Sequence, residues 1–278
     1  MSNPTVHGVK PATIVQMGEV TIDDLEAAVQ KTRDGHGELL AKYHEVWYNA
    51  SYTWPYTHFL GVGMMKCPND LWMYQAIMSR LRPVNIIETG TYQGASALWF
   101  AYLQDMIGIT DGQVFTVDFE AYDLDPIVRH PRITYLHGNS VNPELVAGIR
   151  EQLQEGPTLV ILDSDHSTKH VEEELELYAP FCKVGDWLVV EDTNIGWTDG
   201  KEHTLTFGGD LGKCSCGLAF LVMENAKDRV DLSKVKCPND RNDLGARGGL
   251  INYMERHQGE WRQDILSERY LLTMNPGG

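Results

Sequence analysis

Val84-Asn85-Ile86-Ile87-Glu88-Thr89-Gly90-Thr91-Tyr92-Gln93-Gly94-Ala95-Ser96 passes from an apolar strand into a glycine turn and then into a helix. The same grammar repeats on its C-terminal side. Ala95 to Met106 reads as a helix, Gln113 to Asp118 and Ile133 to His137 as strands, and Glu144 to Leu153 as a helix. Pro157 to Asp163 is the most apolar strand, His170 to Pro180 a helix, and Asp186 to Glu191 the next strand. On the N-terminal side, Leu71 to Leu81 reads as a helix stopped by Pro83. Strands that are nearly continuous in Val, Ile and Leu and are separated by helices indicate an α/β fold. They form a mostly parallel sheet with helices on both faces.

Further from this core the pattern weakens. Thr21 caps a helix carrying Leu25, Ala28 and Val29, and a second helix is expected after Gly37. An aromatic stretch follows (Tyr48, Tyr52, Trp54, Tyr56, Phe59), suited to a core or to a pocket wall. Beyond Asp192 comes a glycine-rich excursion with one helix-like piece, Leu218 to Asn225. The division that results is an N-terminal arm with helices (1–68), an α/β core (69–195), a lid-like insertion (196–250) and closing strands of the same core (251–278).

Composition excludes several classes. Lys and Arg number 23 against 39 Asp and Glu, a net charge of −16, so neither nucleic acid nor an anionic membrane is the expected partner. No apolar run approaches the ~20 residues that span a bilayer. The five cysteines are too few for a disulfide framework in a chain of 278 residues, and the expected location is the cytoplasm. Cys214, Cys216 and Cys237 lack the spacing of a zinc site and read as free thiols. The N-terminal arm and the long excursion leave a homo-oligomer open.

In open α/β sheets, ligands bind beyond the carboxyl ends of the strands. The first strand ends in Glu88 and the Gly90–Gly94 turn, whose backbone can approach a ligand closely. The second ends in Asp118, a carboxylate able to accept from adjacent ribose hydroxyls. The third ends in Gly138, Asn139 and Ser140, small groups suited to an adenine edge. Taken in order, the three favour an adenosine-containing ligand. The fourth and fifth strands end in Asp163-Ser164-Asp165-His166 and Glu191-Asp192-Thr193-Asn194. Carboxylates converging there repel unless a cation joins them, and hard oxygen donors suit Mg²⁺ or a similar divalent ion. His166 is the best general base in the chain, with His170 one turn away.

These motifs together resemble the cephalosporin hydroxylase / rhamnosyl O-methyltransferase family over roughly residues 54 to 195. The resemblance implies a Rossmann-like methyltransferase fold using S-adenosylmethionine. It implies that Gly90, Tyr92, Gly94 and Ser96 hold the methionine part of the cofactor, with Glu88 supporting the loop. Asp118 would hold the ribose, Asn139 and Ser140 the adenine, and Asp163, Glu191 and Asp192 the metal. The more distant catechol O-methyltransferases carry a lysine base at the position that is His166 here. The implied reaction is methyl transfer to a hydroxyl of a small molecule, a sugar or a natural-product intermediate, with Asp163 and His166 as catalytic residues. Trp54 and His58 are candidates for acceptor contact. Two alternatives stay open: an iron-dependent oxygenase, for which one histidine beside a carboxylate cluster is a poor match, and a cofactor-binding module without catalysis.

Overall fold

The structure is a computed structural model. It describes residues 21–49, 56–121, 123–193, 195–198, 201–204, 220–223 and 245–264. Trp54, Asn194, Cys214, Cys216, Cys237 and the part of the expected closing strands beyond residue 264 lie outside these residues.

Helix α1 (Ile22–Asn49) precedes a short hairpin of β1 (His58–Phe59) and β2 (Val62–Gly63). Thr21 begins α1 as expected, through reciprocal bonds with Asp24: Thr21 N–H and Oγ1 donate to Oδ2 at 3.0 and 2.7 Å, and Asp24 N–H donates back to Oγ1 at 3.1 Å. The break expected at Gly37 does not occur, and one helix runs through it. Its two glycines, Gly35 and Gly37, cost the helix ~1 kcal/mol each, too little to end 28 residues of it.

The core then alternates: α2 (Pro68–Leu81), β3 (Asn85–Thr89), α3 (Ala95–Met106), β4 (Gln113–Asp118), β5 (Ile133–His137), α4 (Pro143–Gln152), β6 (Thr158–Leu162), α5 (Thr168–Tyr178) and β7 (Trp187–Val190). A hairpin of β8 (Ile195–Thr198) and β9 (Lys201–Thr204) follows, then β10 (Phe220–Met223), α6 (Ala246–Arg256) and β11 (Trp261–Gln263). Within the piece expected as a helix at Leu218–Asn225, the described residues Phe220–Met223 form strand β10 instead. A short apolar run carries no period that separates the two states.

The seven-stranded sheet has the order β11-β10-β7-β6-β3-β4-β5. Strands β5, β4, β3, β6 and β7 are parallel, and β10 pairs antiparallel with both β7 and β11. Both faces are buried. Ile87, Val160, Leu162, Leu188 and Val190 pack toward α4, α5 and α6, while their neighbours Ile86, Leu159, Ile161, Trp187 and Val189 pack toward α2 and α3. That strict two-residue alternation, apolar on both sides, is why the strands read as unbroken apolar runs. No helix among the described residues is long and apolar enough to cross a membrane.

From β3 the chain winds through β4 to β5, then returns to lay β6 and β7 on the other side of β3. The order therefore reverses between β3 and β6, and a crevice opens at the carboxyl ends of those two strands.

Candidate active site at the reversal of the sheet

The crevice is a cleft of about 640 Å³, within the usual range for small-molecule sites. One side is made by the glycine turn. Gly90 has φ +88°, and a Cβ placed on it would lie 1.7 Å from the carbonyl oxygen of Asp163. Only glycine lets the turn after β3 cross the end of β6 so closely. Tyr92 also has positive φ (49°), and its N–H donates 2.8 Å to Asp118 Oδ2. Asp118 Oδ1 accepts from Glu120 N–H at 2.9 Å. Gly94 caps α3 with φ +79°, and a Cβ there would press on the Tyr135 hydroxyl at 3.0 Å. Ser96, in the first turn of α3, lines the cleft with Gly90, Tyr92 and Asp118. Glu88 stands behind the turn, fully buried, and its Oε2 accepts from Thr116 Oγ1 at 2.8 Å. Burial pushes its pKa up to about 7 against the opposing pull of Lys66.

Asn139 and Ser140 lie further along the same cleft. Asn139 Oδ1 accepts from Val141 N–H at 3.1 Å, an Asx turn that fixes the segment. Ser140 Oγ lies 2.9 Å from His170 Nε2, and the same nitrogen is 3.5 Å from Oε1 of the buried Glu174. Burial pulls the His170 pKa down, but the Glu174 contact outweighs it and the net direction is up. Ser164 Oγ donates to Glu174 Oε1 at 2.7 Å. A polar network thus runs along the floor of the cleft from the end of β5 to the end of β6.

The other side is acidic. Asp163, His166 and Asp192 bring ligand atoms within 4.8 Å of one another, and all three line the cleft. His166 Nε2 lies 3.2 Å from Asp192 Oδ2. Asp192 holds positive φ (53°), uncommon for a non-glycine residue and characteristic of functional sites. Its carboxyl is pushed up to about 7, by burial first and by Asp163 and Glu191 next, with His166 pulling the other way.

Of the expected trio of Asp163, Glu191 and Asp192, the first and last meet in this cluster with His166, and Glu191 adjoins Asp163 through Lys66. Glu191, 2 % exposed, is not among the residues lining the cleft; its Oε1 accepts from the Tyr74 hydroxyl in a short bond and lies 2.8 Å from Lys66 Nζ. The same ammonium lies 2.6 Å from Asp163 Oδ2. Burial alone would depress Lys66, but Asp163, Glu191 and Glu88 outweigh it and hold the group well above the ordinary lysine range. His58 is not among the residues lining the cleft; its Nδ1 contacts Tyr56 O at 2.7 Å.

Sequence reading missed Lys66 and Tyr74. Lys66 sits in Met64-Met65-Lys66-Cys67-Pro68, outside any periodic element. The one signal is a lone cation with apolar residues on both sides, immediately before a helix opened by proline. Tyr74 looked like any core aromatic on α2.

Comparison with known proteins places the chain. Residues 51–208 match the family described as rhamnosyl O-methyltransferase/CmcI. A rhamnosyl O-methyltransferase of Mycobacterium leprae is 40% identical over 159 residues, which cover 56% of this chain and 69% of that protein. The Mycobacterium tuberculosis protein of the same name is 40% identical over 161 residues, 57% of this chain and 65% of its own length. The match thus spans about two thirds of these curated relatives. Among solved structures, a CmcI structure with Mg and SAM is similar at 26% identity and TM-score 0.43, over 53% of this chain and 64% of that one.

Proposed function

We infer the reaction from one premise: the chain belongs to the rhamnosyl O-methyltransferase/CmcI family. It is an S-adenosylmethionine-dependent O-methyltransferase, and its acceptor is a hydroxyl of a small molecule, a sugar or a natural-product intermediate. One observation carries this reading. A single cleft joins a turn that tolerates no side chain at Gly90 to an acidic cluster with a histidine, across one strand end.

The residues fit the two groups the reaction needs. Gly90, Tyr92, Gly94 and Ser96 would hold the methionine part of the donor, with Glu88 fixing the loop from behind. Asp118 would take the ribose, and Asn139 and Ser140 the adenine. The hard oxygen donors of Asp163 and Asp192 suit Mg²⁺ or a similar divalent cation. Glu191 supports them from behind through its contacts with Lys66 and Tyr74. When bound, such a cation supplies Lewis acidity that lowers the pKa of an acceptor hydroxyl.

The rest is done by the chain itself. The cleft aligns acceptor oxygen and sulfonium methyl, so an encounter of two solutes becomes one oriented step. A C–O bond forms as the C–S bond breaks, S-adenosylhomocysteine is released, and the hydroxyl proton passes to the imidazole of His166. Asp192, 3.2 Å from His166 Nε2, orients that ring and stabilises the imidazolium formed. An oxygenase is less well supported, because the cluster offers one histidine and two carboxylates rather than the reverse.

The test is methyl transfer from labelled S-adenosylmethionine to a panel of rhamnosides and hydroxylated natural products, with Mg²⁺ or with chelator. Asp163→Ala should lower kcat by about 10²–10³-fold with an unchanged circular dichroism spectrum. Wild-type turnover by that variant in chelator would remove the ion from the reaction. Donor binding without transfer to any acceptor would favour a non-catalytic module.

A further inference from the structure

Lys66 belongs to none of the roles assigned above, yet it is a nearly buried cation held by two carboxylates. It is 3 % exposed and is delivered by the segment between β2 and α2. Its ammonium group contacts Asp163 of β6 and Glu191 of β7 at 2.6 and 2.8 Å, and it lies 5.9 Å from the centre of the Tyr74 ring. It is not among the residues that line the cleft.

Charge explains the arrangement. Asp163, Glu191 and Asp192 would bring three negative charges to two adjacent strand ends, one more than a divalent cation balances. The ammonium group takes the total to two. The nearby Glu88 is engaged elsewhere, with Thr116 and Ser96 behind the glycine turn. By bridging Asp163 and Glu191, Lys66 also ties the acidic ends of β6 and β7 to the opening of α2. We propose that Lys66 is a positioning residue that clamps Asp163 and Glu191 and sets the charge of the acidic centre to that of a single divalent cation.

This rests on the ion site of the proposed function, and the experiment separates the two. The full-length wild type, Lys66→Met, Lys66→Arg and the double variant Lys66→Met/Glu191→Gln are titrated with Mn²⁺ and with Tb³⁺. Binding is read by calorimetry and by tyrosine-sensitised Tb³⁺ luminescence. Lys66→Met keeps the apolar stem and removes the charge, so its affinity ratio should move toward Tb³⁺ by at least about tenfold, since the extra negative charge favours the trivalent ion. Lys66→Arg keeps the charge and should stay near the wild-type ratio. The double variant restores the total charge without restoring the clamp, and its ratio should return toward wild type. A ratio unmoved by Lys66→Met, or moved equally by Lys66→Arg, overturns the proposal. If Lys66→Met does not fold, the double variant and Lys66→Arg still decide it, because a ratio in the double variant that differs from wild type by tenfold contradicts charge matching. A wild type that binds neither ion overturns the ion site and this inference together.

Discussion

The two sides of the cleft are held by different physics. On the glycine side the backbone is the scaffold: Gly90 fits against the Asp163 carbonyl because it has no side chain, and Tyr92 fixes Asp118 through a main-chain N–H. On the acidic side the scaffold is charge. Asp163, Glu191 and Asp192 stay together only because Lys66, Tyr74 and His166 stand between them. A steric scaffold fails abruptly when one atom is added. An electrostatic one yields by degrees to protons and ions.

The most damaging way to break this contrast is Gly90→Ala. The added carbon has no room and the backbone is in the left-handed region, so a loss of more than about 4 kcal/mol is expected. Guanidinium unfolding measures it, and a cost under 1 kcal/mol would show that the turn can move. Next comes Glu191→Ala, which leaves the buried ammonium of Lys66 with one carboxylate partner instead of two. Breaking a buried ion pair costs about 3–5 kcal/mol, against which Asp163 retains part of the compensation, so urea unfolding should report the lower end of that range.

The mildest test uses pH. The Asp192 carboxyl sits at about 7 in the fold and near ~3.9 in an unfolded chain. Its sign is that of a raised acid: folding meets no penalty from this group below pH ~4, and the penalty grows until pH passes the folded value. A bound cation needs the ionised form, so its affinity should fall by up to about tenfold for each pH unit below 7. Mn²⁺ titrations at pH 8, 7, 6 and 5 check this. A flat profile would mean that Asp192 is not in contact with the ion.

The framework was legible because the central strands β3, β6 and β7 are buried on both faces with apolar residues at their middles, and most connecting helices begin or end on a recognisable signal. Pro68 and Pro143 open α2 and α4, and Gly94 opens α3. The glycine turn and the cleft-lining acids were legible for the same reason, since strand ends determine where they point. Lys66 was not, because its partners are 97 and 125 residues away and no local pattern announces such a contact. The contacts of Glu191 with Lys66 and Tyr74 were illegible for the same reason. Helix α6 was hidden by its own glycines: Gly248 and Gly249 read as loop residues, whereas they let α6 lie against α5. A Cβ on Gly249 would come within 2.6 Å of Thr168 O, and one on Gly248 within 2.4 Å of its hydroxyl.

That close crossing has a consequence for how the molecule comes into being. Thr168 opens α5 two residues after His166, and its hydroxyl donates to Gly245 O at 2.9 Å. On the ribosome, the five parallel strands can emerge and pair while the start of α5 still lacks this lid of backbone. The histidine end of the cleft therefore gains this contact only after residue 245 has left the exit tunnel, later than the strands that carry the glycine end.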